Sequence, residues 1–142
     1  MRLELVFHDI KPISLNHCHK ITTRGRFPSK YKTKEYIAFE SKINSQISSF
    51  KSQIRKLNSA YKEDTHYMVV DYRFYYPIMT KAGTISKRSN DVDNIIKPIN
   101  DIIFKHLSTD DSQVMSVAST KIHSDQLKIE MYIQIKLISH IN

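Results

Sequence analysis

The 142-residue chain has one cysteine, two glycines and no long apolar run. A lone Cys18 excludes an intrachain disulfide and fits a reducing compartment. Gly25 and Gly83 alone cannot supply a glycine-rich phosphate loop or a dinucleotide-binding fingerprint. No segment has the length and apolarity of a membrane-spanning helix, and no basic amphipathic helix points to a membrane surface. The opening MRLELVFHDI lacks a signal peptide's apolar core and small-residue cleavage site. It is expected to be a strand, and the protein to be cytoplasmic. His17-Cys18-His19 does not match zinc-ligand spacing, and no CxxC or HxxxH partner accompanies it. No Ser–His–Asp or Cys–His nucleophile arrangement stands out.

Positive charge, by contrast, is abundant. Lys and Arg number 22 against 14 Asp and Glu, a formal charge of +8. The isoelectric point is about 9.5. Such a surface seeks polyanions, nucleic acid ahead of anionic membrane. With 40% apolar and 25% charged residues, the chain suits one soluble domain spanning 1–142 with a real core.

Hydrophobic periodicity orders the elements. Leu3, Leu5 and Phe7 alternate as a first strand. Residues 9–32 show no periodicity and are expected to form a long basic loop. Tyr36, Phe39, Ile43, Ile47, Phe50, Ile54 and Leu57 recur at helical spacing, which predicts one long amphipathic helix capped by Thr33. Its polar face reads as solvated. Tyr67–Tyr76 is a second strand, closed by Pro77. Val92 to Leu107 is a second helix. Pro98 is tolerable only in a first turn, which sets the regular start near Asn94 to Ile96. Val114–Ile122 and Leu127–Leu137 are the last strands, with His123-Ser-Asp125 expected as a hairpin turn. The order β-α-β-α-β-β predicts a single α+β domain, with a mixed or antiparallel sheet and two helices.

Asp91 and Asp93 stand at the mouth of the second helix, and Asp110-Asp111 follow it. Clustered acids within a basic protein repel the very polyanion it seeks, unless a divalent cation intervenes. In an extended entry segment, Asp91 and Asp93 project to one side. A hard cation such as Mg²⁺ takes one or two carboxylates and completes its shell with water and substrate phosphate. It can polarise a phosphodiester and activate water. Lys97, one turn beyond Asp93, is placed to hold a phosphate or orient the water. The bland alternative has Asp91 and Asp93 as helix caps and Lys97 in an i,i+4 pair. In either case the chain must return along the helix flank, or a second subunit must help, for Asp111 to meet Asp91.

The run Asp91-Val-Asp93-Asn94-Ile-Ile-Lys97-Pro98-Ile-Asn-Asp101, then Asp110-Asp111-Ser-Gln113-Val114, resembles the signature of RusA-type Holliday-junction resolvases. Ile13-Ser-Leu-Asn16-His17 is similar to the family's Pro-Ser-x-Asn segment, with Ile13 where proline is common. The link Lys105–Thr109 lacks the family's usual glycine. The resemblance implies a homodimeric, Mg²⁺-dependent endonuclease, with Mn²⁺ as a substitute, that cuts four-way DNA junctions by paired symmetric nicks. It implies Asp91, Asp93 and Asp111 as catalytic metal-site residues, with Asp110 beside them and Lys97 as the essential basic residue. Asp101 matches a helix aspartate. Such enzymes are bacterial or phage-encoded. An alternative is a catalytically inactive, structure-selective DNA-binding protein of the same fold.

Asn16, His17, Lys20, Arg24, Arg26, Lys30 and Lys32, with Phe27 and Tyr31 interleaved, are expected to contact DNA. Lys87 and Arg88, beside the acids, form a second expected contact.

Overall fold

Strict alternation builds the sheet. In strand β1 (Arg2–His8), Leu3, Leu5 and Phe7 are buried. The computed structural model describes residues 1–141. Residues 9–32 carry a short ribbon, β2 (His19–Thr22) paired antiparallel with β3 (Ser29–Lys32), where a loop was expected. No residue of the ribbon is buried, so it has no apolar alternation to betray it. Gly25, at φ +99°, makes the positive-φ turn at its tip.

The predicted long helix is two. Helix α1 (Lys34–Ile47) starts at Thr33, whose Oγ1 accepts from the Tyr36 N–H at 3.2 Å. A 3₁₀ turn at Ser48–Phe50 separates it from α2 (Lys51–Ala60). The hydroxyls of Ser45, Ser48 and Ser49 donate to carbonyls three residues back, which tightens the backbone there. The apolar stripe survives the break: Tyr36, Phe39, Ile43, Ile47, Ile54 and Leu57 are all buried.

Strand β4 (His66–Tyr76) buries Met68, Val70, Tyr72, Phe74 and Tyr76. Helix α3 (Ile96–Phe104) follows, with Pro98 in its first turn, where a missing N–H costs nothing. Strands β5 (Val114–His123) and β6 (Lys128–Leu137) complete a four-stranded sheet of order β1-β6-β4-β5. The domain is α+β, with a mixed sheet. One correction concerns connectivity: β5 and β6 are not a hairpin. They flank β4, β5 running parallel to it and β6 antiparallel. Residues 124–127 cross the end of β4, where Ser124 N–H donates to the Tyr76 carbonyl at 3.1 Å. A parallel β4–β5 pair needs a long crossover, and residues 77–113 supply it.

All three helices pack on one face of the sheet, in a single apolar core. On the other face, the Arg2 and Arg73 guanidinia lie 4.5 and 5.2 Å from the Tyr132 ring centre. Lys128 pairs with Glu130 at 3.0 Å. Arg2 and Arg73 also lie within 4 Å of Glu4 and Asp71, whereas Lys136 has no acid partner among the described residues.

Candidate active site

The β4–α3–β5 crossover delivers the acidic residues. Lys121 on β5 donates to Ser89 Oγ at 3.0 Å and to the Asn90 carbonyl at 2.9 Å, which pins the backbone just before Asp91. Residues 91–94 then turn, with Asn94 N–H donating to the Asp91 carbonyl at 3.1 Å. The segment is therefore not extended, and the alternation argument for Asp91 and Asp93 does not apply. Both are exposed and make no side-chain hydrogen bond or ion pair among the described residues. The Asn94 carbonyl accepts from Leu15 N–H at 2.8 Å, which fastens the 14–17 turn against the acidic segment. Ser14 caps that turn by accepting from Asn16 N–H at 3.4 Å, and Thr33 Oγ1 donates to the His17 carbonyl.

Within α3, Lys97 Nζ lies 2.9 Å from Asp101 Oδ1. Its i,i+4 partner is thus the residue after it, not Asp93 before it. That hydrogen bond raises the ammonium's pKa above the usual lysine value against a small cost of burial, and Asp111 adds to it. Lys97 is a fixed cation, suited to holding a phosphate oxygen and unsuited to taking a proton.

The glycine-free link returns the chain along the helix flank. Among the described residues it contains no positive φ, so it has no use for glycine. His106 and Leu107 N–H donate to the Ile103 and Phe104 carbonyls and extend the helix end. Ser108 N–H donates to Asn58 Oδ1 at 2.9 Å, and Thr109 Oγ1 donates to Glu63 Oε1 at 3.0 Å. Asp110 caps the next turn, accepting from Ser112 N–H at 3.3 Å, and these hydrogen bonds lower its pKa. Asp111 ends beside mid-α3, where its Oδ2 accepts from Asn100 Nδ2 at 3.2 Å. Asn100 Oδ1 in turn accepts a short hydrogen bond from the Tyr72 hydroxyl. Burial holds the Tyr72 phenol protonated, with Asp101 and Asp111 adding to the effect. A carboxylate cannot donate, so Asn100 must present its NH₂ to Asp111 and its oxygen to Tyr72.

Lys97, Asp101, Asp110 and Asp111 line one cavity of about 500 Å³, together with Tyr36, Lys32 and Lys105. Asp91 and Asp93 do not line it. Among the described residues, no three His, Cys, Asp or Glu side chains stand close enough to hold a metal ion by themselves. The donor chemistry nevertheless suits a hard cation: the acids offer oxygen alone, and Asp91 and Asp93 have no competing cation.

The basic residues divide. Asn16, His17, Lys20 and Arg88 line a second cavity, of about 680 Å³, that adjoins Asn90. Arg24, Arg26, Lys30 and Lys87 are exposed, the first three on the ribbon, and none has an acid partner among the described residues. Lys32 differs, because its ammonium is 2.9 Å from Glu40 Oε1. Cys18 is buried, and burial raises its thiol pKa to about 11, so the His17-Cys18-His19 run holds no thiolate.

Sequence reasoning missed Asn100, Tyr72 and Lys121 as supports of the site. Asn100 carried a signal, an amide on a helix otherwise apolar at Ile99, Ile102 and Ile103. Tyr72 and Lys121 fall within the expected strands, where nothing in the local spacing points to the site.

With the crossover, the returning acid pair and the flanking cations in place, the fold is an α+β domain that sets carboxylates among basic residues. The chain belongs to the RusA family: the family model for endodeoxyribonuclease RusA matches residues 9–135. No curated protein matches it. No helix among the described residues is long and apolar enough to cross a membrane.

Proposed function

We propose that this protein is a structure-selective endonuclease that resolves four-way DNA junctions by paired symmetric phosphodiester cleavage. The observation that carries this reading is the Tyr72–Asn100–Asp111 relay. It holds a carboxylate from the crossover's far end in one cavity with Lys97. Asp91, Asp93 and Asp111, with Asp110 beside them, would hold Mg²⁺, or Mn²⁺ in its place. When bound, the ion supplies charge neutralisation between carboxylate and phosphate and makes water a better nucleophile.

The chain's own residues do the rest. Lys97, kept cationic by Asp101, binds a non-bridging phosphate oxygen and stabilises the charge that develops on it. Asn100 fixes the rotamer of Asp111. Lys121 fixes the approach to Asp91. The ribbon cations and the Lys87–Arg88 loop bind flanking phosphates and orient the strand. Two symmetric nicks require two sites, so the working form is a homodimer. Strand β5, at the edge of the sheet, leaves Met115 62% and Val117 49% exposed, which supports a partner on this side. The cytoplasm of a bacterium, or of a phage-infected one, is the compartment that fits.

A second reading is a junction-binding protein that does not cut. The position of Asp91 and Asp93 outside the acidic cavity favours it. One experiment separates the two: a labelled four-way junction incubated with the protein and Mg²⁺. Paired nicks are expected, lost on adding EDTA and in Asp91→Asn, with junction binding retained. Cleavage that survives either treatment sinks the proposed mechanism. A junction bound yet intact under both Mg²⁺ and Mn²⁺ establishes the binding-only reading.

A further inference from the structure

We propose that the larger cavity, of about 680 Å³, is a nucleotide pocket that captures one unstacked base from the branch point of the DNA. The inference rests on the junction reading above. The cavity lies between residues 10–20, the first half of α1 and the Arg88–Asn90 loop. Its wall is apolar where Ile10, Pro12 and Phe39, all buried, reach it. A phosphate track alone has no use for such a wall, whereas the face of a base does. Lys20 and Arg88 line it with no acid partner among the described residues, so the anion that matches them must come from outside the chain. Lys32, Lys97 and Lys105, around the acidic cavity, are by contrast each paired with an acid.

The lining also carries groups able to read a base edge. The side-chain amides of Asn16 and Asn90 make no hydrogen bond to another described residue, and each offers both donor and acceptor. Glu35 is the one carboxylate in the lining, an acceptor for an exocyclic amine. The volume falls within the range of small-ligand sites. A base stacked in a duplex shows only its edges, so the occupant must leave the stack, which costs least where pairing is already disturbed. Asn90 directly precedes Asp91 and is itself held by Lys121. A nucleotide seated here therefore has its phosphate next to the acidic segment. The pocket sets which junction strand, and which nucleotide at the crossover, is presented for cleavage.

The test uses four-way junctions carrying 2-aminopurine at successive crossover positions, with EDTA present so that the strands stay whole. Anisotropy of a distant label reads binding, and 2-aminopurine emission reads unstacking. A rise of roughly threefold or more at one crossover position is expected on binding, as for an extruded base. Ala38 lines the cavity from the exposed side of α1, and Ala38→Phe fills it without removing a cation or an acid. That variant is expected to bind the junction and to lose the emission rise. Binding without a rise at any crossover position overturns the inference and leaves the junction reading standing. So does a rise that persists in Ala38→Phe. Loss of binding together with emission in Ala38→Phe also overturns it, because the cavity then contacts duplex rather than one nucleotide. No preference for a junction over linear duplex overturns the junction reading and this inference with it.

Discussion

Asn100 decides where the Asp111 carboxylate points. It bonds a buried phenol on one side and an active-site candidate on the other, across 28 and 11 residues of chain respectively. Removing it leaves the Tyr72 hydroxyl without a partner in the core, and an orphaned buried donor costs about 1–3 kcal/mol. Asn100→Ala is thus expected to lower the unfolding free energy by that amount, read by urea titration. Junction cleavage should fall roughly 10- to 100-fold, the usual effect of losing a group that orients a metal or catalytic ligand, while junction affinity holds. Asn100→Asp separates the two roles. It restores an acceptor for Tyr72 but repels Asp111, so stability is largely recovered and cleavage is not. Asp91, Asp93, Lys97 and Asp111 were visible as candidates in the sequence because their spacing is short. Their supports were not, since Tyr72 and Lys121 reach the site only through the sheet.

Among the elements, the ribbon, α1 and the end of α3 meet at one carboxylate. Glu40 lies 2.9 Å from Lys32 and 3.5 Å from Lys105. The hydrogen bond from Lys32 lowers the Glu40 pKa, more than burial raises it, and Lys105 adds to the effect. A folded pKa below the unfolded one means that the contribution is present above the unfolded value. It is lost as pH falls through the folded value. Glu40→Gln should therefore reduce stability at neutral pH by at most about 1 kcal/mol, because both lysines are solvent-screened. The gap from the native protein should close once pH drops well below about 4, the ordinary carboxylate range. Thermal melts of both proteins across that interval check it. Helices and long strands were legible because each buries one face of a regular period. The ribbon was not, since it is exposed on both sides, and the helix break at Ser48–Phe50 was hidden by an apolar stripe that runs through it.

At the scale of the molecule, charge is sorted rather than spread. On the helix-free sheet face Arg2, Arg73 and Lys128 are paired with acids, whereas Lys20, Arg24, Arg26, Lys30, Lys87 and Arg88 have no acid partner among the described residues. Junction binding should accordingly weaken steeply with salt. Arg88→Gln is expected to reduce the slope of log affinity against log salt by about 1, and to weaken all branched substrates alike. Anisotropy titrations at several salt concentrations check it. An unchanged slope would remove Arg88 from the phosphate contacts.

The sequence by itself determined the α+β class, the polyanion preference, the family signature and most element boundaries. These follow from composition, from hydrophobic period and from residues within one turn of each other. Only the tertiary structure decided that β4 lies between β5 and β6. It also decided that the glycine-free link carries Asp111 back to mid-α3, that Lys97 answers to Asp101, and that Asp91 and Asp93 stand outside the acidic cavity. Each of those depends on contacts between residues far apart in the chain. Strand order and side-chain partners are set by packing in three dimensions, which no local spacing encodes.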